Sequence, residues 1–200
     1  KIRVDQGIIA GCAGGTFDNI CAAADILGDA GIGNDAFSLS IYPGSQPVMS
    51  AILKNGVASR LISAGATLRT AFCGPCFGAG DVPAHGGFSI RHTTRNFPHR
   101  EGSKASEGQI AAVALMDARS IAATAKNGGI LTSALSLDVE YGDYEYTFDD
   151  RSYRARVYNG WGNPKPETPL VYGPNITDWP DFDPLGEHLL LVVCSVIDDP

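Results

Sequence analysis

A strand, a glycine-rich turn and a helix follow one another near the start of the chain, and this unit restricts the fold more than any other feature. Gly7–Ala10 is predicted to form a short buried strand that leads into Gly-Cys-Ala-Gly-Gly over residues 11–15. Thr16 is a predicted N-cap because apolar residues recur behind it at helical spacing, and Gly28 is positioned to end that helix. In open parallel α/β sheets such turns lie at the carboxyl edge, where ligands bind. The turn that carries Cys12 is therefore a candidate functional position.

Later segments repeat this alternation of strands and helices, which predicts an α/β domain. Further strands are predicted from apolar or alternating runs at residues 37–42, 67–71, 88–94 and 130–132. Further helices are predicted at residues 46–55, 58–63 and 107–126. Ser45 can cap the first of these helices, and a capping box that starts at Ser106 precedes the last, which is rich in alanine.

The pattern changes after Asp138. Two alternating segments that flank residues 149–152 predict a β-hairpin, and six prolines within residues 160–184 predict an extended connector. A last buried strand is predicted at residues 189–196. We therefore expect an α/β domain over 1–137, a hairpin appendage of the same domain over 138–165, and a connector with the final strand over 166–200 that leads to a further domain absent from this chain.

Composition excludes several classes of function. The net charge of −7 argues against a nucleic-acid partner, and no apolar run approaches the ~20 residues of a membrane span. Five cysteines, an odd number in an acidic chain without a secretory signal, indicate reduced thiols and a cytoplasmic protein. Cys21 and Cys194 fall in apolar helix and strand patterns and are predicted to be buried and inert.

The Cys73-Gly-Pro-Cys76 motif has two main interpretations. Two thiols separated by two residues can form a thiol–disulfide redox pair, or they can both ligate one metal centre. A redox pair usually opens a long helix, whose N-terminus lowers the thiol pKa. The glycines that follow Phe77 and then Pro83 cannot easily continue a helix, which favours metal ligation. A redox pair and a non-catalytic domain that binds zinc or nothing remain alternatives.

A second polar motif follows the strand predicted at residues 88–94. Arg95 and Arg100 stand five residues apart in a loop bounded by glycine and proline. Guanidinium groups bind carboxylates with two parallel hydrogen bonds, so the pair predicts a site for anionic oxygens in an acidic protein. The alternative is that both arginines are solvated surface residues.

Taken in order, the three motifs resemble those of the aconitase superfamily, which includes aconitase, homoaconitase and isopropylmalate isomerase. Members carry a Ser-Cys-Thr-Asn turn, a Cys-Gly-x-Cys motif and an Asn-Arg-Asn-Phe-x-Gly-Arg motif. The corresponding segments here are Gly-Cys-Ala-Gly over residues 11–14, Cys-Gly-Pro-Cys over 73–76 and Thr-Arg-Asn-Phe-Pro-His-Arg over 94–100. The resemblance spans residues 6–130. It implies a three-layer α/β/α sandwich with a mostly parallel sheet.

The resemblance also implies a cofactor and a reaction. Cys12, Cys73 and Cys76 take the places of the family's cluster ligands, which hold a [4Fe–4S] cluster and leave one iron open as a Lewis acid. Arg95 and Arg100 take the places of the substrate-carboxylate arginines, and Asn96 matches the asparagine between them. The implied function is a hydro-lyase that hydrates or dehydrates a small hydroxy-carboxylic acid.

The sequence departs from the family at three points. Ala-Gly-Gly follows Cys12, Thr94 replaces the first asparagine of the arginine motif, and Pro98-His99 replaces a residue–glycine step. These changes indicate a divergent hydratase. The family's acid–base groups come from other domains of the polypeptide, so we expect no turnover from this segment alone. A cluster held on one open face would also be exposed to oxygen, so the isolated domain is expected to be prone to losing it.

The remaining candidates have weaker patterns. Asp81 follows CGPC and is predicted to orient a loop or to cap a turn. His85 and His99 are predicted loop residues, with His99 close enough in sequence to the arginines to contact substrate. His92 and His188 are predicted to have structural roles.

Overall fold

The computed structural model describes residues 1–33, 36–94, 99, 101–157, 159–169, 171, 173, 184 and 186–188. The chain divides into two units, Lys1–Tyr158 and Asn159–Pro200. The described residues of the second unit are all exposed and contain turns but no helix or strand. The strand predicted at residues 189–196 and Cys194 lie outside the described residues. No described helix combines the length and apolar character that crossing a bilayer needs.

A parallel five-stranded sheet forms the centre of the first unit. The strands are β1 Gln6–Ala10, β2 Ser38–Tyr42, β3 Thr67–Leu68, β4 Phe88–His92 and β5 Ala112–Leu115. They lie in the order β3-β2-β1-β4-β5, and every neighbouring pair is parallel. The predicted α/β class with a parallel sheet is thereby confirmed. In register, Ala10 pairs with Tyr42 and Ile9 with His92, so β1, β2 and β4 end at one common edge.

The helices are α1 Gly11–Gly14, α2 Phe17–Leu27, α3 Gln46–Lys54, α4 Val57–Ser63, α5 Ala118–Lys126 and α6 Arg151–Arg154. Two predicted N-caps are confirmed. The Thr16 hydroxyl accepts a hydrogen bond from the Asn19 amide, and the Ser45 hydroxyl accepts one from the Val48 amide, both at 3.4 Å. Gly28 ends α2 with a φ of 55°.

Side chains alternate between the two faces of the sheet and meet different partners on each. On one face, Ile9, Ile41 and Ile90 are fully buried in the main core, which includes side chains of α2, α3, α4 and α5. The opposite face is more polar and carries Arg91 and a small apolar cluster of Ile8, Ala10 and Tyr42. In the described residues, the loop after β3, with its 3-10 turn Gly74–Cys76, lies over this second face.

The single long helix predicted over residues 107–126 is wrong in its first half. Residues 105–107 form a 3-10 turn, Gly108 has a φ of 74°, and Ala112–Leu115 pairs with β4 as strand β5. The helix begins only at Ala118, where the Asp117 carboxylate accepts a hydrogen bond from the Ser120 amide at 3.0 Å. Alanine favours a helix and is depleted in strands, so strand pairing with β4 outweighed the local helix preference.

The hairpin predicted within residues 138–165 is also wrong for the described residues. Residues 138–149 form no paired strand, and α6 covers part of the predicted turn and the first residue of the predicted second strand, 154–158. Residues 140–146 instead pack on α2 and α4. The Tyr144 hydroxyl donates to Asp25 at 2.6 Å, and the Tyr146 ring lies 5.1 Å from that of Phe17. The alternating aromatic residues are therefore used in contacts with helices, because an isolated two-stranded hairpin is only marginally stable. The strand predicted at 130–132 is reduced to one antiparallel bridge between Arg3 and Ile130.

Candidate functional site

Cys12 lies in the single helical turn α1, directly after β1 and at the carboxyl edge of the sheet. Gly11 opens the turn with a φ of 68°, and the Gly15 amide closes it by donating to the Gly11 carbonyl at 2.8 Å. The left-handed backbone at Gly11 is readily available only to glycine. The Cys12 side chain is exposed.

This turn is wedged between the ends of β2 and β4. A Cβ atom added to Gly14 would lie 2.1 Å from the His92 carbonyl oxygen, and one added to Gly15 would lie 2.1 Å from the Tyr42 carbonyl oxygen. Both distances are far below contact, and both neighbours are backbone atoms that cannot move away easily. Close packing therefore explains why glycines follow Cys12 and Ala13.

The CGPC motif forms a tight 3-10 turn. The Cys76 amide donates to the Cys73 carbonyl at 3.0 Å, and the amides of Phe77 and Ala79 both donate to the Gly74 carbonyl at 3.0 Å. No helix follows within residues 77–87, as the glycines and Pro83 predict. Cys73 is exposed, whereas Cys76 is buried.

The structure brings the two cysteine turns together. A Cβ atom placed on Gly11 would lie 3.5 Å from the Cys76 sulfur, so Cys76 packs against the turn that carries Cys12. The 3-10 turn of CGPC also contacts β1. None of Cys12, Cys21, Cys73 and Cys76 forms a disulfide.

Within the described residues, no three His, Cys, Asp or Glu side chains converge on a single metal ion. Cluster ligands need not do so, because each cysteine of a [4Fe–4S] cluster binds a different iron atom. Ligation of a cluster by Cys12, Cys73 and Cys76 therefore remains a prediction.

Asp81 fastens the loop that follows CGPC to the end of β2. Its carboxylate accepts hydrogen bonds from the Tyr42 hydroxyl at 2.6 Å, from the Arg69 guanidinium at 3.0 Å, and from the Ser40 hydroxyl. Burial opposes ionisation, but the hydrogen bonds outweigh it and lower the pKa of Asp81. Burial and the hydrogen bond to this carboxylate together raise the pKa of Tyr42 to about 12. Asp81 thus orients the loop.

Sequence reasoning missed Arg91. In the strand Phe88–His92 an arginine at an alternate position is expected to point to solvent, yet Arg91 is only 2% exposed. Its guanidinium donates to four oxygen atoms, two on the cysteine loop and two on the sheet. A charged residue inside a predicted strand, between CGPC and the arginine motif, was the available signal.

The three predicted substrate-binding residues, Arg95, Asn96 and Arg100, lie outside the described residues. Their neighbours His99 and Glu101 are among the described residues. His99 is exposed and has a φ of 60°, which is a left-handed conformation. It stands at the position where the arginine motif given above has glycine. Glu101 is buried and accepts a hydrogen bond from the Ser103 hydroxyl. Burial opposes ionisation of Glu101, but this hydrogen bond and those from backbone amides outweigh it and lower the pKa of Glu101.

The other candidates have structural contacts. Burial raises the pKa of the Cys21 thiol to about 11, and Cys21 is 2% exposed, which confirms the predicted buried thiol. His92 Nδ1 accepts a hydrogen bond from the Ala118 amide at 3.1 Å and so supports the start of α5. His85 Nδ1 accepts one from the Ile110 amide at 3.2 Å, and His188 is exposed. A cavity of about 510 Å³ between α3 and residues 145–154 contains none of the predicted site residues.

The fold and these turns define a parallel α/β domain with cysteines at the carboxyl edge of its sheet. Residues 1–123 match the aconitase family (aconitate hydratase), and the chain belongs to that family.

Relatives include two enzyme subunits. The 3-isopropylmalate dehydratase large subunit of Halothermothrix orenii is 36% identical over 121 residues, which cover 60% of this chain and 29% of that protein. The probable methanogen homoaconitase large subunit of Methanothermobacter thermautotrophicus is 33% identical over 110 residues, which cover 54% of this chain and 26% of that protein. The chain thus spans less than a third of the length of these relatives.

Proposed function

We propose that this chain is the cysteine-bearing part of an aconitase-type hydro-lyase that acts on a small hydroxy-carboxylic acid. The observation that carries this proposal is the packing of Cys76 against Gly11, next to Cys12, in a chain of the aconitase family. Through this packing, thiols from two separate motifs lie at the same edge of the sheet.

The chemistry of the donor set fits a [4Fe–4S] cluster. Cys12, Cys73 and Cys76 are not consumed by disulfides, two of them are exposed, and the third lies beside a glycine that has no side chain to fill the space. We propose that these three thiolates hold the cluster. A bound cluster with one open iron supplies Lewis-acid polarisation of a substrate hydroxyl and carboxylate.

Side chains of this chain are proposed to bind and orient the substrate. Arg95 and Arg100 are proposed to hold substrate carboxylates through their guanidinium groups, with Asn96 as a further polar contact. Held in this way, a di- or tricarboxylate presents its hydroxyl and its acidic C–H bond in a fixed direction, which lowers the entropic cost of the reaction.

The acid–base groups are proposed to come from other domains of the same polypeptide. Less than a third of each relative's length corresponds to this chain, and the chemistry requires a base to remove the proton beside the carboxylate. We therefore propose that this segment alone has no turnover. We propose a cytoplasmic location for two reasons. The four described cysteines form no disulfide, and an exposed cluster would be sensitive to oxygen.

Anaerobic reconstitution with iron and sulfide tests the proposal. The chain should acquire a broad visible absorbance, and Cys73→Ser should abolish it. Cys21→Ala is the matched control, because this thiol is buried in the helix core and should be irrelevant to iron uptake. Failure of both this chain and a longer polypeptide to take up iron would refute the cluster assignment.

The alternatives predict other results. A thiol–disulfide oxidoreductase would reduce insulin disulfides and lose that activity in Cys73→Ser. A zinc-binding domain would contain zinc after purification without air, and would keep it in place of iron during reconstitution. The absence of a helix in residues 77–87 counts against the redox pair, since that helix normally activates its first thiol.

A further inference from the structure

We propose that Arg91 is a positioning residue for the cysteine site: its buried guanidinium fixes the CGPC loop and places a permanent positive charge beside Cys76. This inference rests on the proposed function, because the charge is argued to act on a cluster held by Cys12, Cys73 and Cys76. Arg91, which lies beneath the loop and away from solvent, thereby affects both the shape of the cysteine site and its electrostatics.

Arg91 ties two points of the loop to one group. Its Nη1 donates to the Pro75 carbonyl at 3.0 Å, and its Nη2 donates to the Asp81 carbonyl at 3.0 Å. Pro75 lies inside the CGPC turn, and Asp81 lies at the point where the loop is fastened to β2. A single planar guanidinium therefore sets the distance between the cysteine turn and the sheet.

Side chains of the sheet hold the guanidinium itself in place. Its Nε donates to the Ser89 hydroxyl at 3.0 Å, and its Nη2 donates to Gln6 Oε1 at 3.2 Å. The Ser89 hydroxyl in turn donates to Gln6 Oε1 at 2.8 Å, so β1 and β4 fix the plane of the group together. A lysine has one donor group on a flexible stem and cannot reproduce this fork.

The charge of Arg91 is buried among neutral acceptors. In the described part of the chain its four acceptors are two backbone carbonyls, a hydroxyl and an amide oxygen. A cation removed from water is stabilised by nearby anions, and without them its burial is costly. Desolvation lowers the pKa of Arg91, and the negative charges of Glu101 and Asp81 oppose this effect. Because Arg91 also donates to the carbonyl of Pro75, the residue before Cys76, an anionic group held by that cysteine would add to the negative surroundings of this arginine.

A cluster bound by three thiolates adds negative charge next to this cation, and reduction adds one more. Arg91 should therefore stabilise the reduced cluster relative to the oxidised one and raise its reduction potential, since nearby charge is one of the factors that set cluster potentials. The geometric and electrostatic roles separate in two variants. Arg91→Lys keeps the charge and loses the fork, whereas Arg91→Met loses both.

The positioning role is tested on the cluster-free, full 200-residue chain by iodoacetamide alkylation, with each cysteine quantified by mass spectrometry. Arg91→Met should increase the alkylation rate of Cys76 about tenfold or more, because two hydrogen bonds from a charged group to the loop are lost. Arg91→Lys should give an intermediate increase. Arg69→Met is the matched control, because it also removes a guanidinium from this loop, but an exposed one. It should change the alkylation rate of Cys76 by less than about threefold.

The electrostatic role is tested after reconstitution by a dithionite titration of the cluster, followed by electron paramagnetic resonance. Arg91→Met should have a lower reduction potential than the parent chain, and Arg91→Lys should stay close to the parent. If the parent chain takes up no cluster, the proposed function fails, while the alkylation rates still test the positioning role. Unchanged Cys76 alkylation in both variants, or an unchanged potential in Arg91→Met, would overturn this inference. Should Arg91→Met not fold, Arg91→Lys alone must still expose Cys76.

Discussion

At the scale of single residues, the cysteine site depends on the absence of side chains as much as on their presence. Gly14 and Gly15 let the Cys12 turn approach the backbone of two strands at distances that no Cβ atom permits. Gly11 leaves the space next to the Cys76 sulfur open. The thiol of Cys12 is therefore positioned by backbone contacts rather than by packing of its own side chain.

Gly14→Ala should destabilise the domain by about 3 kcal/mol, because the new methyl group would collide with the His92 carbonyl and force the backbone apart. Urea unfolding followed by circular dichroism measures the change. Gly31→Ala is the control, since its Cβ would meet only ordinary contacts at 3.6 Å and beyond. A Gly14→Ala protein as stable as Gly31→Ala would show that the turn does not pack as described.

His99→Gly should raise the free energy of unfolding by about 0.5–1 kcal/mol. The left-handed backbone of His99, with a φ of 60°, costs a non-glycine residue about 1–2 kcal/mol, part of which the greater unfolded-state entropy of glycine offsets. Thermal or urea unfolding measures the change. A loss of stability would indicate that the imidazole makes contacts that outweigh the strain.

At the scale of elements, the start of α5 distinguishes two descriptions of the same alanine-rich segment. In the structure the helix begins at Ala118, and Asp117 is its N-cap. The predicted longer helix would instead start next to Ser106, which lies in a 3-10 turn.

Asp117→Ala should therefore cost about 1 kcal/mol of stability, the usual value of an N-cap side chain, and Ser106→Ala should cost close to nothing. Paired urea titrations of the two variants give both values. The reverse order would support a helix that begins near residue 107.

A second element-scale feature is the attachment of residues 140–146 to α2 and α4 through Asp25. The carboxylate of Asp25 accepts hydrogen bonds from the Tyr144 hydroxyl at 2.6 Å, the Gly142 amide at 2.9 Å and the Arg60 guanidinium at 3.0 Å. Burial opposes ionisation, but these partners outweigh it and lower the pKa of Asp25 below its ordinary value of 3.8.

Because the folded-state pKa of Asp25 is lowered, its contribution to stability is present above pH 3.8 and is lost as the pH falls through the folded-state value. Asp25→Asn should cost about 1–3 kcal/mol at pH 7, with a smaller difference from the parent chain below about pH 3.8. Unfolding experiments from pH 7 to pH 2.5 measure the difference. A difference that is constant over this range would exclude the charge of Asp25 as its origin.

At the scale of the whole molecule, the proposed cluster links ligand binding to folding. A group that binds the native chain and not the unfolded chain stabilises it by RT ln(1 + [L]/Kd), about 2.7 kcal/mol at a hundredfold excess over Kd. Anaerobic reconstitution should therefore raise the Tm of the parent chain, and exposure to air should reverse the rise. In Cys73→Ser the Tm should be the same before and after reconstitution. An equal rise in this variant would mean that iron binds elsewhere.

Many of the helices could be predicted from the sequence, because the signals that mark a helix are local. Thr16 and Ser45 mark helix starts by a hydrogen bond to a residue three positions later, and apolar spacing marks the faces that become the core. The alanine-rich residues 107–126 locally favour a helix throughout, and only pairing with β4 makes Ala112–Leu115 a strand. The alternating aromatic residues of 144–148 match a strand in periodicity, yet Tyr144 and Tyr146 contact Asp25 and Phe17 of the distant helix α2.

By itself, the sequence determined the α/β class, the family resemblance and which residue types could carry the chemistry, because short motifs and periodic patterns depend only on neighbours along the chain. Only the tertiary structure decided that Cys76 packs beside the Cys12 turn, that Arg91 is buried rather than solvated, and that Asp81 joins the loop to β2. These facts depend on which strands become neighbours and on what covers the second face of the sheet. Such pairings are set by long-range packing, and no local pattern encodes them.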